Sequence, residues 1–123
     1  MKHQAYRMTM LFDFYGDLLT ERQREFFDLY YNEDLSLAEI AENYGISRQG
    51  VRDVIVRAEA TMTEIEEKTH IIHRFHQSQA AIDAIDAAAD RLLRLANGHG
   101  CDGVTLDELC RTIKDNVSKL RQE

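Results

Sequence analysis

Four neighbouring side chains, Ser47, Arg48, Gln49 and Arg52, are of types that bind nucleic acid. Arginine and glutamine hydrogen-bond base edges and phosphates, and a serine hydroxyl can contact either. A helix that opens at Ser47 would present all four outward. We take them as nucleic-acid-binding candidates, with Arg48 and Arg52 as phosphate contacts and Gln49 as the base reader.

The surrounding residues predict the element that would position these side chains. Residues 37–56, LAEIAENYGISRQGVRDVIV, have the spacing of a helix-turn-helix. Gly45 lies at the turn, where a positive φ is cheap only for glycine. Ser36 and Glu39 predict a capping box for the first helix, and Ser47 caps the second. The apolar positions of the motif are Ile40, Tyr44, Ile46, Val51 and Val54.

The charge of the chain argues against a general affinity for duplex DNA. The net charge is −7, and residues 1–70 carry eight Lys/Arg against fourteen Asp/Glu. From Asp13 to Glu42 there are nine acids and two bases, so only residues 48–57 are locally basic, with three arginines and one aspartate. A non-specific DNA binder usually has the opposite sign, because phosphate neutralisation supplies most of its affinity.

A second interpretation of the arginines therefore stays open. They could form a solvated face that complements nearby acids, Arg52 with Asp53 and Arg57 with Glu42. Gly50 costs about 1 kcal/mol of helix stability relative to alanine, and could permit close approach of a phosphate backbone or of another helix. From the residues alone, a nucleic-acid face and a scaffold used for protein contact are equally supported.

Other chemistry-bearing residues lack the spacing of a catalytic or metal site. His70, His73 and His76 are spaced by three residues, and each such step drifts by roughly 60° around a helix. His70 and His76 therefore do not share a face. Cys101 and Cys110 fit free thiols in a reducing compartment. We expect no metal, no cofactor and no enzymatic activity. The glycines at 98, 100 and 103 predict a turn between helices rather than a phosphate loop.

The periodicity along the chain predicts an all-α protein in two parts. Residues 1–70 form a helix-turn-helix module, with helices at about 3–19 and 21–31 before the motif, the second one capped by Thr20. Residues 71–123 form a helical extension. After Ser47 nothing breaks the helix before Asn97-Gly98, which indicates either one very long helix or a recognition helix that bends into another.

The extension carries a heptad seam from Ile71 to Ala96, followed by a last helix capped by Thr105 and Glu108. We expect the last helix to fold back as an antiparallel partner. It is too short to cover the seam, which predicts a homodimer. The dimer interface candidates are Ile71, Phe75, Ile82, Ile85 and Leu92.

Composition is consistent with this reading. The chain has no proline and is 44% hydrophobic, which suits a helical core. No run of residues is long and apolar enough for a membrane span, and no signal pattern opens the chain. We expect a cytoplasmic protein that does not contact membranes.

The run LFDFYGDLLTERQREFFDLYYNEDLSLAEIAENYGISRQGVRDVIVRAEATM, residues 11–62, resembles the YlxM-like family of small bacterial proteins. More distantly, residues 19–59 resemble region four of bacterial sigma factors. The resemblance implies an all-helical, dimeric protein that acts as an accessory or regulator of the signal recognition particle pathway, with the particle's protein or RNA as partner. The alternatives are a DNA-binding transcriptional regulator and a dimeric adaptor without nucleic-acid contact.

Overall fold

The computed structural model describes residues 4–98 and 105–122, and every regular element in them is a helix. The all-α prediction is therefore confirmed. The chain divides into two compact units, Met1–Ile72 and His73–Glu123, and one helix runs across the division. The helices are α1 (Ala5–Tyr15, followed by a 3-10 turn at Gly16–Leu18), α2 (Glu21–Tyr31), α3 (Leu37–Tyr44), α4 (Arg48–Thr69), α5 (Ile71–Ala96) and α6 (Leu106–Arg121).

Reciprocal capping boxes start three of these helices. In each, the N-cap hydroxyl accepts a hydrogen bond from the backbone N–H three residues on, and the side chain of that residue accepts one from the N-cap N–H. The pairs are Thr20–Gln23, Ser36–Glu39 and Thr105–Glu108. Because these signals are local, the predicted starts of α2, α3 and α6 agree with the structure.

A bend at His70 separates α4 from α5. The chain after Ser47 therefore forms a recognition helix that bends into another helix, and not one very long helix. His70 has a φ of 54°, in the left-handed region. Its backbone N–H donates to the Glu66 carbonyl at 2.8 Å. The Glu66 carboxylate then accepts from the Ile72 N–H at 2.9 Å and from the Tyr15 hydroxyl at 2.5 Å. One side chain therefore ties the end of α1 to the start of α5.

The core of the first unit consists of two clusters of buried side chains, one on each side of α2. Phe27 packs with α1 and the middle of α4, whereas Phe26, one residue away, packs with α3 and the start of α4. Both rings are completely buried. The first cluster contains Met8, Leu11, Tyr15, Leu19, Phe27, Ala58, Met62 and Ile72, and the second contains Phe26, Tyr30, Ile40, Ala41, Val51 and Ile55.

The second unit pairs α6 with the part of α5 that follows Ile72. A groove joins Arg74, near the start of α5, to Lys119, near the end of α6, so the two helices run antiparallel, as expected. Among the described residues of this unit, those that become buried are Ala81, Ala88 and Leu109. The most buried face of α5 is thus an alanine face beside the predicted heptad seam.

Candidate nucleic-acid interface

The helix-turn-helix forms as the sequence predicts. Gly45 ends α3 with a φ of 67°, and the Ile46 N–H donates back to the Ala41 carbonyl at 3.1 Å. This is the left-handed turn for which glycine is suited. Ile40 and Val51 are fully buried between the two helices. Sequence reasoning missed Ile55, which is also fully buried, while the predicted Val54 is only half-buried.

An open cleft lies where the first turns of α3 and α4 meet. Its walls come from the capped start of α3, from one tyrosine of α2 and from the first turns of α4. The lining residues are Tyr30, Ser36, Leu37, Ala38, Arg48, Gln49 and Arg52. The Glu39 carboxylate of the capping box lies at the start of α3 and offsets the positive end of the helix dipole. The positive charge of the cleft therefore comes from its two arginines.

Arg48 and Arg52 are exposed in this cleft, one turn apart on α4. Ion pairs in the described part of the chain include those of Arg24, Lys68 and Arg111, but none is formed there by either cleft arginine. The alternative pairings of Arg52 with Asp53 and of Arg57 with Glu42 do not form among these residues. The two cleft guanidinium groups therefore remain available to a ligand.

Ser47 and Gln49 are already engaged. The Ser47 hydroxyl accepts a hydrogen bond from the Gly50 N–H at 2.9 Å and so caps α4. The Gln49 amide donates to the Asp53 carboxylate at 2.8 Å and must give up this bond to read a base. A Cβ on Gly50 would lie 3.1 Å from the Ser47 hydroxyl oxygen. Glycine at position 50 therefore leaves room for the helix cap.

Arg57 does not belong to the same surface. Nine residues turn an α-helix by about 900°, so Arg57 leaves α4 on roughly the opposite side from Arg48. Arg57 is exposed there and does not line the cleft. The interface therefore has two arginines, and Arg57 provides a matched control for them.

Three tyrosines hold the scaffold of the cleft by donating to carboxylates, a pattern that the sequence did not reveal. Tyr31 donates to Glu59 at 2.9 Å, and Tyr44 to Glu25. Tyr15 donates to Glu66, as described above. Burial raises the pKa of the Tyr31 hydroxyl above its usual value of 10, and the hydrogen bond that Tyr31 donates to Glu59 raises it further. A carboxylate keeps its negative charge when it accepts a hydrogen bond, so these bonds join the helices without reducing the negative charge of the unit.

The remaining candidates do not converge on a site. His70, His73 and His76 are all exposed, and no group of three or more His, Cys, Asp or Glu within the described ranges could hold a metal ion. Cys110 is an exposed free thiol, while Cys101 and the glycines at 100 and 103 lie outside the described residues. Within the same ranges, no helix is both long enough and apolar enough to cross a membrane.

The predicted dimer interface residues lie on α5 with partial exposure. Ile71, Phe75 and Ile82 are 42%, 44% and 46% exposed, and Ile85 and Leu92 are half-buried. An apolar edge of α5 therefore remains uncovered within a single chain.

The fold and the cleft define a helix-turn-helix protein with a DNA-binding-like scaffold. The family model described as "Putative helix-turn-helix protein, YlxM / p13 like" matches residues 2–96, and the chain belongs to this family, UPF0122. A UPF0122 protein of Desulforamulus reducens is 49% identical over 68% of this chain and 72% of its own length. A UPF0122 protein of Lacticaseibacillus casei is 39% identical over 93% of this chain and 95% of its own length. A UPF0122 protein of Halalkalibacterium halodurans is 44% identical over 74% of this chain and 84% of its own length.

Proposed function

We propose that this protein is an accessory of the signal recognition particle that contacts the particle's RNA with its cleft and the basic protein component with its acidic helices. The observation that carries the proposal is a pair of exposed arginines without an ion pair in a module that is otherwise strongly acidic. Two guanidinium groups alone neutralise few phosphates. A ribonucleoprotein offers both an anionic and a basic surface, so it suits both signs.

The charge distribution supports a two-part contact. Between Asp13 and Glu42 the acids outnumber the bases nine to two, and this segment runs from the end of α1 through α2 into α3. Naked duplex would meet the repulsion of these carboxylates, whereas a basic protein next to the RNA would neutralise them. We expect binding to weaken with salt, since exposed charges are screened beyond roughly 8–10 Å at physiological ionic strength.

The test is a titration of the wild-type protein and of Arg48→Ala/Arg52→Ala against the assembled particle and against its protein component alone. The double variant should bind the particle at least tenfold more weakly, and the protein component nearly as well as wild type does. Arg57→Ala, on the opposite side of α4, is the matched control and should change little. Equal losses on both targets would remove the RNA contact from the proposal.

A DNA-binding regulator is the second candidate, favoured by the helix-turn-helix geometry itself. In such proteins the second helix reads the major groove, and here α4 would place Gln49 nearest to bases. We expect weak binding to random duplex at physiological salt. Tight binding to a duplex with a steep salt dependence, together with no binding to the particle, would decide for this function.

We further propose that the protein acts in the cytoplasm as a homodimer joined through α5, because the apolar edge containing Ile71, Phe75 and Ile82 needs a cover. Full burial of an exposed aliphatic side chain contributes about 1.5–3 kcal/mol, and these side chains, 42–46% exposed, would gain roughly half of that in a dimer. Light scattering at micromolar concentration should give twice the chain mass, and Ile82→Lys with Ile85→Lys should give the monomer. A monomeric wild-type mass would exclude the dimer.

A further inference from the structure

The exposed side of α4 has two faces of different charge. Each residue turns an α-helix by about 100°, so Gln49, Asp53 and Val56 lie within about 60° of one another around the axis. All three are exposed, and we call them the outward midline of α4. Arg48 and Arg52 lie to one side of this midline, on the flank that lines the cleft. The midline therefore carries a carboxylate and no base, whereas the flank carries both guanidinium groups.

Asp53 lies on the side of α4 that is opposite to the core. The buried residues of the helix are Val51, Ile55, Ala58 and Met62. The Asp53 carboxylate accepts a hydrogen bond from the Gln49 amide at 2.8 Å, and it forms no ion pair with any residue that the structure describes. Because a neutral amide donor leaves a carboxylate its charge, the outward midline of α4 is negative.

The two faces of α4 suit different nucleic acids. The major groove of B-DNA, about 12 Å wide, admits an α-helix, and the outward midline of that helix then faces the bases with phosphates on both sides. The major groove of A-form RNA is too deep and narrow for side chains to read. RNA must therefore meet α4 from the flank, where Arg48 and Arg52 lie. A negative charge on the midline thus opposes duplex DNA more strongly than it opposes RNA.

We propose that Asp53 is a specificity-determining residue that favours RNA over duplex DNA at this helix-turn-helix. Its carboxylate repels the phosphates that border a DNA groove, and it holds the amide of Gln49, the side chain placed nearest to bases. An unfavourable charge is a common way to exclude a wrong partner. The inference rests on the proposed RNA contact and deepens it, since it states what keeps a DNA-binding-like scaffold from binding DNA.

The test compares two labelled duplexes of the same sequence, one of DNA and one of RNA, by fluorescence anisotropy with the full-length protein. Asp53→Asn removes the charge and keeps a side-chain oxygen that can accept from Gln49. At about 50 mM salt, where phosphate contacts are strong, it should bind the DNA roughly fivefold more tightly than wild type, or better, and the RNA within about twofold of wild type. A damaged fold would weaken binding, so a gain cannot arise from misfolding.

Glu67→Gln is the matched control. It removes one negative charge from an exposed position on the same side of the same helix. Glu67 lies roughly 21 Å further along α4 than Asp53, beyond the distance of about 8–10 Å over which exposed charges interact at physiological ionic strength. Its affinities for both duplexes should stay within about twofold of wild type, because neither the midline at Asp53 nor the cleft changes.

Two results would overturn the role of Asp53. One is unchanged DNA binding by Asp53→Asn. The other is an equal gain on DNA and RNA, or an equal gain by Glu67→Gln, which would reduce the effect to net charge. If Asp53→Asn gains DNA binding as expected while the wild-type protein does not bind the signal recognition particle, the role of Asp53 stands and the proposed function fails. If the particle binds and Asp53→Asn gains nothing on DNA, the role of Asp53 fails and the proposed function stands.

Discussion

The two units of this chain bury different kinds of side chain. The helix-turn-helix unit completely buries Phe26, Phe27, Ile55 and Met62. In the described part of the second unit the buried residues are Ala81, Ala88 and Leu109, while larger aliphatic side chains on the same two helices stay exposed. Since burial stabilises roughly in proportion to apolar area, the first unit has a core of its own and the second gains much less from its internal packing.

The difference in packing suits the first unit to a rigid binding site and the second unit to association. The first unit holds the cleft arginines on a helix that is fixed by a closed core and by the bonds from Tyr15 and Tyr31 to α4. A site placed on such a rigid element can present its side chains in one geometry. The second unit, with apolar side chains left over, is suited to association, which is why we place the dimer contact on α5.

The largest expected effect comes from deleting a core ring. Phe26→Ala should lower the free energy of unfolding by about 3–5 kcal/mol, because it leaves a cavity in a fully closed core. Ile82→Ala, at a half-exposed position of the second unit, should cost about 1 kcal/mol at submicromolar concentration. Urea denaturation followed by circular dichroism measures both. Equal losses would show that the two units are equally well packed.

The parts of the fold that could be predicted from the sequence are those determined by neighbouring residues. Capping needs a hydroxyl and a carboxylate or amide three residues apart, and the turn needs one glycine with positive φ. Both are visible in Ser36, Glu39 and Gly45, and α3 begins and ends accordingly. The motifs that carry the family resemblance lie in the same part of the chain, and the resemblance is confirmed by the family model.

The other features of the fold and of the cleft depend on contacts between residues that are distant in the sequence or on side-chain geometry that only the fold shows. Both an isoleucine seam and an alanine face recur with helical period along α5, so periodicity alone cannot decide which one α6 covers. The bond from Tyr15 to Glu66 joins residues 51 positions apart, and no local pattern indicates it. At the cleft, residue types pointed to Arg48 and Arg52, but the engagement of Gln49 by Asp53 required the fold.

A smaller effect is expected from the helix caps. Ser47→Ala removes the acceptor of the Gly50 N–H and should cost about 0.5–2 kcal/mol. Ser118→Ala, at an exposed position inside α6, removes a hydroxyl that caps nothing and should be neutral or slightly stabilising. Thermal unfolding of both variants measures the difference. A neutral Ser47→Ala would mean that the start of α4 is held by packing alone.

At the bend between α4 and α5 we expect a substitution that raises the free energy of unfolding instead of lowering it. His70 adopts a φ of 54°, which glycine adopts more readily, so His70→Gly should raise the free energy of unfolding by up to about 1 kcal/mol. His76→Gly, inside α5, should instead lower it by up to about 1 kcal/mol. Chemical denaturation of the two variants should show opposite shifts. A loss at both positions would mean that the His70 side chain itself stabilises the bend.

The last effect is confined to alkaline pH and to the first unit, which contains all five tyrosines. The pKa of the Tyr31 hydroxyl is raised, first by burial and then by Glu59, so the folded protein keeps a proton that the unfolded chain releases above about pH 10. The stability that this proton provides is fully present below pH 10 and is lost as pH rises further. Tyr31→Phe, which cannot titrate, should lose stability less steeply between pH 10 and 11.5 than wild type does. Urea midpoints across that range measure the slopes, and equal slopes would mean that Tyr31 ionises as easily in the folded protein as in the unfolded chain.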